Sequence, residues 1–421
     1  MILEFVRDMA KSNIYVGLEV GTSKICVVVG EVRGDGTIKI LGVGTAPSRG
    51  VRKGEIVDFD TAQRCLHDAL VRAEDKSDVM IRNVFLSVTG PHVESMNNRG
   101  CIRIPDDQSE ITLDDLDEVK ELARDVAIPS ENVFVHSIVR HYIVDGQELI
   151  LNPVGMLGRK LEADYHIIHG IRNRIQNTIR CVREIPLEVE DVVFGPIAAA
   201  QVVLTKDARE QGAMVIDVGG GTTDYVLYVD GSVAVSGSIG IGGDHITNDL
   251  SIVLKIPLSK AEKLKKEQGC ALASPEDAGK MLRVEGDTGF VGRDVEKELL
   301  NEVIHSRCVE MFEILDKRFA GGNYKERMKA GVFLTGGCSQ LKGISEVAEA
   351  VLGLPVHRGS SAPISGLTAT FENPQFATPI GLIRYAQLLE NERPRRGTFS
   401  KLANKLTGLF GGSRLFSWLF G

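Results

Sequence analysis

The strongest constraint on this chain is a strand–turn–strand unit that occurs twice and is followed by a third glycine turn. Leu18-Glu-Val-Gly-Thr-Ser-Lys24 lies between apolar runs at 14–18 and 25–29. Ile216-Asp-Val-Gly-Gly-Gly-Thr-Thr-Asp224 lies between similar runs at 214–217 and 224–229. Phe333-Leu-Thr-Gly-Gly-Cys-Ser-Gln-Leu341 closes a run at 331–335. A turn between strands aims backbone N–H groups at an anion, and glycine lets that anion come close. Gly21, Gly219, Gly220 and Gly221 supply the turns, and Thr22, Ser23, Thr222 and Thr223 add hydroxyl donors. Asp217, at a strand end, suits Mg²⁺ held through water and the positioning of an attacking water, because Mg²⁺ keeps several waters and takes few carboxylates. Lys24 offers a point charge for phosphate. One such turn alone reads more readily as an ordinary hairpin. Three in this order point to phosphate. Neither a Walker A sequence nor a GxGxxG fingerprint is present, so the two commonest nucleotide folds are not indicated.

Between the turns, strand and helix patterns alternate. Strands read at 38–43, 84–88, 99–104, 133–139, 164–169 and 189–194, the first after the Asp35-Gly36 turn. Helices read at 61–73, 113–126, 172–182, 197–204, 295–315 and 345–351. Thr112 to Asp115 and Ser259 to Glu262 have the spacing of capping boxes. The alternation predicts an α/β class built on mainly buried strands, in two related halves. At 421 residues the chain has room for two to four domains. Its net charge of −8 argues against a nucleic-acid partner. The seven cysteines are dispersed without a CxxC pair, which fits free thiols in a reducing compartment. No signal peptide is expected from residues 1–12, and no apolar run of 18 or more residues is present for a membrane span. His166 and His169 sit on a strand pattern that points them to opposite faces, against a shared metal.

The end of the chain reads differently. Phe399, Leu402, Leu406, Leu409 and Phe410 fall on one helical stripe bordered by Lys401 and Lys405. After Gly411-Gly412, Leu415, Phe416, Trp418, Leu419 and Phe420 follow in another phase, beside Arg414. Apolar and aromatic on one side and basic at its edges, this segment suits a membrane interface, with docking on its own domain as the competing reading. Residues 391–421 hold six basic residues against one acidic, a net +5, which leaves −13 on the rest. An anionic bilayer attracts such a tail and repels such a body.

Together these residues resemble the actin-like ATPase superfamily. Glu19-x-Gly21-Thr22 is similar to its first phosphate motif, Asp217 to Asp224 to its second, and Gly336-Gly337-x-Ser339-x-Leu341 to its adenosine motif. Pro196-Ile-Ala-Ala-Ala200 and Ala377-Thr-Pro-Ile-Gly381 resemble its connecting helices. Within it the chain resembles the FtsA family of bacterial cell-division proteins, on four features: Glu rather than Asp at position 19, an insert after the first helix and strand, Asn152-Pro-Val-Gly-Met156, and the basic amphipathic tail. The resemblance implies an actin-like, ribonuclease H-like two-domain fold with a nucleotide cleft and an α+β insert. The expected parts are 13–89, 166–204 and 375–390 for the first domain, with the insert at 90–165. The second domain takes 205–244 and 329–374, with a helical part at 245–328. A linker at 391–399 and the tail at 400–421 complete the chain.

The resemblance also implies ATP and Mg²⁺, with Glu19 and Asp217 on the metal side. Gly243, Glu262 and Lys265 would lie toward ribose and adenine, and Gly336, Gly337 and Ser339 under the nucleotide. Glu262 reads equally as the end of its capping box, and Lys263 and Lys266 read as solvated. Gly195, where relatives place a water-orienting side chain, and the longer Glu19 imply slow hydrolysis at most. The implied partners are the C-terminal peptide of FtsZ at Glu302 and Arg307, further copies in a filament, anionic lipids of the cytoplasmic membrane at the division site, and later division proteins through the insert. Arg307 reads equally as pairing with Glu310 or Glu302. A pilus-assembly actin-like protein and a small-molecule kinase of the same superfamily are the alternatives.

Overall fold

The computed structural model describes residues 13–105, 110–319, 322–359 and 372–392. The tail residues named above, Phe399 to Phe420, lie outside them, as does the linker from residue 393.

Each half is built on a five-stranded sheet. The first takes β1 (Ile14–Val20), β2 (Lys24–Val32) and β3 (Ile38–Pro47) as consecutive antiparallel strands. A two-residue hairpin, β4 (Val51–Arg52) and β5 (Glu55–Ile56), leads to α1 (Phe59–Ser77). The Asp58 carboxylate caps α1 by accepting from Thr61 N at 3.1 Å, and Asp78 stops it in the left-handed region. Ala62, Leu66, Ala69, Leu70 and Ala73 make its buried stripe. β6 (Asn83–Val88) then pairs parallel with β1.

The insert follows: β7 (Val93–Arg103), α2 (Leu113–Arg124), β8 (Asn132–Val144), β9 (Gln147–Ile150) and β10 (Lys160–Ile171), a four-stranded sheet in the order 7-10-8-9 with its own core. Thr112 and Asp115 form the expected capping box at the start of α2. The strand read at 164–169 lies within β10. It pairs with β7 as far as Gly170 and with β8 as far as Ile171, so it belongs to the insert sheet. α3 (Arg172–Arg183) and β11 (Glu188–Phe194) complete the first sheet, order 11-6-1-2-3.

After α4 (Gly195–Val203) and α5 (Lys206–Gln211) the pattern repeats. β12 (Ala213–Val218), β13 (Thr223–Val229) and β14 (Ser232–Ile239) are antiparallel neighbours. α6 (Gly243–Leu254), α7 (Leu258–Gln268), the hairpin β15 (Met281–Val284) and β16 (Arg293–Glu296), α8 (Lys297–Phe319) and α9 (Tyr324–Arg327) follow. β17 (Gly331–Thr335) then pairs parallel with β12, and α10 (Ile344–Leu352) and β18 (Val356–Arg358) finish a sheet of order 14-13-12-17-18. The two halves thus share strand order and sense.

α11 (Ala377–Glu392) returns to the first half and crosses α4. Both helices lie in one core with β2, β12 and β13, which joins the halves. Gly381 makes the crossing possible, because a Cβ there would lie 2.0 Å from the Ala198 carbonyl oxygen.

Two helices begin elsewhere than the sequence pattern predicts. Helix α8 starts at Lys297, since Val295 is taken by the β15–β16 ladder opposite Leu282. Helix α7 starts after Pro257, whose carbonyl accepts from Ala261 N at 2.9 Å. Ser259 is therefore inside the helix, and Glu262 closes no capping box.

Candidate functional site

The three glycine turns meet at the ends of β1, β12 and β17. They line a cleft of about 450 Å³ between the halves, a size typical of small-molecule sites. Gly21 N donates to Lys24 O at 3.1 Å and Gly219 N to Thr222 O at 2.9 Å, which closes each turn tightly. The N-terminus of α6 packs on the second turn, with Gly243 N donating to Gly219 O at 3.0 Å and Asp244 N to Gly220 O at 2.8 Å. On the third, Gly336 takes φ +87° beside Asp217.

Three carboxylates converge here, Asp224 buried and Glu19 and Asp217 half-buried in the cleft wall. Glu19 is half-buried, and its buried Oε2 has no hydrogen-bond partner among the described residues. Burial pushes its pKa up from 4.5 to about 7; Lys24 opposes the shift, and Asp217 and Asp224 add to it. Asp217 is raised by burial, against the Thr378 hydroxyl, which donates to its Oδ2 at 2.7 Å, and against Lys24. Burial lifts Asp224 to about 6 although it accepts from Thr89 and, at 3.0 Å, from Thr222. A pocket that holds negative charge so reluctantly is matched to a cation.

The opposite end is a charge network between α6 and α7. Glu262 accepts from Thr247 and pairs with Lys265 at 2.6 Å and Lys266 at 2.9 Å. Burial alone would raise its pKa, but Lys265 and these hydrogen bonds outweigh it and hold it at about 2. Lys265 is itself buried and donates to Gly243 O at 2.9 Å.

Of the residues proposed from sequence for the nucleotide, all but Thr223 and Ser339 line the cleft. Thr223 is buried and donates to Ile241 O at 2.8 Å; Ser339 is buried and donates to Gly336 O at 2.8 Å. Both shape turns from behind. Lys24 lines the cleft, but its ammonium donates to Gln375 O and lies 4.7 Å from the Phe376 ring centroid. Lys266, read as solvated, pairs with Glu262 in the lining. Thr89, Asp224, Gln340 and Thr378 also line the cleft, beyond the candidates that the motifs give. Asp224 was findable, because it lies opposite Asp217 in the β12–β13 register and cross-strand partners share a face. Arg307 is already engaged, donating from Nε to Asp249 at 2.6 Å and pairing with Glu310. Glu302 is exposed on the same helix. His166 and His169 part as expected, His166 bonding Asn97 and Ser236 and His169 bonding Asn132.

The Glu19 shift sets a pH test. Its folded-state pKa lies above its ordinary value, so its stabilising contribution is full below about pH 4.5 and is lost as pH rises through about 7. Melting without nucleotide should show that loss in the wild type, and Glu19→Gln should flatten it. Identical pH profiles would refute the assignment.

A family model described as "Cell division protein FtsA" matches residues 214–381, and one described as "SHS2 domain inserted in FTSA" matches 90–169. The chain is 35% identical over 380 residues to the cell division protein FtsA of Pseudomonas aeruginosa, covering 90% of this chain and 91% of that one. It is 33% identical over 416 residues to that of Escherichia coli, covering 97% of each. Among solved structures it resembles MreB5 of Spiroplasma citri bound to ADP (TM-score 0.53, 14% identity, 94% and 99% covered). It also resembles a PilM-PilN type IV pilus biogenesis complex (TM-score 0.60, 16% identity, 88% and 97% covered). At such identities these two likenesses show the actin-like fold alone.

Proposed function

The chain belongs to the cell division protein FtsA family, and from that premise we propose that it binds Mg·ATP in the cleft and tethers the FtsZ ring to the cytoplasmic membrane. The observation that carries the nucleotide reading is the meeting of three glycine turns around the carboxylates of Glu19, Asp217 and Asp224. MreB5, of the same fold, is described as bound to ADP and to AMPPNP.

Backbone N–H groups of the first two turns and the hydroxyls of Thr22, Ser23 and Thr222 would hold the phosphates. Glu262, Lys265 and Gly243 would bound the ribose and adenine side, with Gly336 and Gly337 beneath. Among the described residues no three His, Cys, Asp or Glu side chains gather closely enough to hold a bare metal ion. Glu19 and Asp217 therefore suit Mg²⁺ held mainly through water. The ion would neutralise phosphate charge. Thr378 orients Asp217, and Thr89 orients Asp224.

Gly195 lines the cleft at the start of α4 and brings no side chain to a water there. We therefore expect binding with turnover below about 1 s⁻¹, at the low end for phosphoryl transfer. A fluorescent ATP analogue with Mg²⁺ should bind, and a phosphate-release assay should stay below that rate. Faster turnover would overturn the slow-hydrolysis reading; no binding would overturn the cleft assignment.

No helix among the described residues is long and apolar enough to cross a membrane, so the contact assigned to the bilayer is peripheral, through the tail. The FtsZ peptide would dock on α8 near Glu302 and Arg307, where Arg307 would exchange a carboxylate partner. The insert would receive later division proteins, and copies would assemble as an actin-like filament. Pelleting with FtsZ, lipid and ATP tests the whole reading, since it requires binding to both FtsZ and lipid.

A further inference from the structure

The insert is rooted in the first half, between β6 and α3, yet its side chains also hold the second half. β7 is an edge of the insert sheet and β14 an edge of the second five-stranded sheet. No backbone ladder is described between them. Instead, Ser95 Oγ donates to Ser236 O at 2.6 Å and Asn97 Nδ2 to Ala234 O at 3.1 Å. Ser232 Oγ donates to Arg140 O at 2.6 Å. A shared ladder would weld the halves into one sheet; side-chain bonds hold them and can still break.

The centre of the seam is a closed circuit. Asn97 spends its amide N–H on Ala234 O, so its Oδ1 accepts from His166 Nδ1 at 2.7 Å. His166 Nε2 is then the acceptor, and takes the Ser236 hydroxyl at 2.8 Å. The circuit leaves β14 at Ala234 and returns to it at Ser236. Burial pushes the His166 pKa down to about 3, with Arg140 and His136 acting the same way, so the ring stays neutral and Nε2 remains an acceptor.

Both ends of the insert's contact face abut cleft elements. In the β13–β14 register Ser236 lies opposite Val226, two residues from Asp224 of the cleft. His136 and His166 share one face of the insert sheet, since Ile168 pairs with His136 and lies two residues from His166. His136 Nε2 accepts from Phe194 N at 2.9 Å, immediately before Gly195 of the cleft.

We propose that the insert is a nucleotide-responsive brace: the Asn97–His166–Ser236 circuit fastens it to β14, so that opening the cleft must break the circuit or carry the insert along. Asn97 and His166 act as positioning residues, since neither lines the cleft. The inference rests on the nucleotide reading given above.

The test uses full-length protein, Mg²⁺ and a fluorescent ATP analogue. Asn97→Ala removes the bond to Ala234 O and leaves the buried His166 Nδ1 without its acceptor, so it should lower the melting temperature modestly, and the measurements are made well below the variant's melting range. Nucleotide dissociation should speed up at least about two- to tenfold, the factor that the single bond to Ala234 O across the seam is worth. Hydrogen exchange should show nucleotide-dependent protection at β7 and β10 in the wild type. That protection should vanish in Asn97→Ala while protection of the second turn persists. If Asn97→Ala does not fold, Ser95→Ala carries the same expectation. Equal dissociation rates and equal insert protection in wild type and variant would overturn the brace alone. Absence of nucleotide binding by the wild type would overturn the cleft reading, and the brace with it.

Discussion

Gly336→Ala should weaken Mg·ATP binding about a hundredfold. Gly336 sits at φ +87°, where a side chain is strained, and a Cβ there would lie 2.3 Å from Asp217 Oδ1 and 2.6 Å from Val218 O. Neither neighbour yields easily. Asp217 is held by Thr378, and Val218 ends the β12 ladder. A left-handed φ costs a non-glycine residue about 1–2 kcal/mol. Overpacking adds about 1–3 kcal/mol. A total of about 3 kcal/mol falls on the junction of the second and third turns and corresponds to about a hundredfold in affinity. Gly34→Ala is the control, because no described residue lies within 4 Å of its added Cβ. Fluorescent-nucleotide titration alongside thermal melting reads both effects. Affinity within threefold of wild type would show that the turn junction does not form the site.

Deleting residues 398–421 should abolish co-sedimentation with anionic vesicles while leaving nucleotide binding intact. The segment removed carries Lys401, Lys405 and Arg414 with the aromatic and aliphatic stripes, and its loss leaves an acidic body. Each basic residue near an anionic surface contributes about 1 kcal/mol, and this part fades with salt. Wild-type binding should therefore weaken between low and physiological salt and fall further on neutral vesicles. Pelleting of the truncated chain to the wild-type extent would place the membrane contact on the body instead.

The three turns and their order were legible because each is a contiguous stretch whose hydrogen bonds close within a few residues, as Gly219 N to Thr222 O does. The repeat of a strand, a turn and a strand likewise pointed to two related halves, and the two five-stranded sheets share their strand order. Glu262 shows where such reading stops. Its spacing from Ser259 fitted a cap, but Pro257 set the helix start, which left the carboxylate to Lys265, Lys266 and Thr247. Arg307 matched a partner-binding pattern, yet α6 supplies Asp249 to it from 58 positions away. The strand at 164–169 had the right type and the wrong assignment, because pairing with β7 and β8 decides its sheet.

Sequence alone determined the turn chemistry, the α/β alternation, the charge split between body and tail, and the family resemblance. These depend on residue type and on spacings of a few positions, which a linear chain displays directly. Tertiary structure decided which groups face each other across the cleft: Thr378 on Asp217, 161 positions apart, and Thr89 on Asp224, 135 apart. It also decided which carboxylates lose their water, and so lifted Glu19 and Asp224 while Lys265 lowered Glu262. Burial and long-range contact arise only when the two halves close on α4 and α11, and no local pattern encodes that closure.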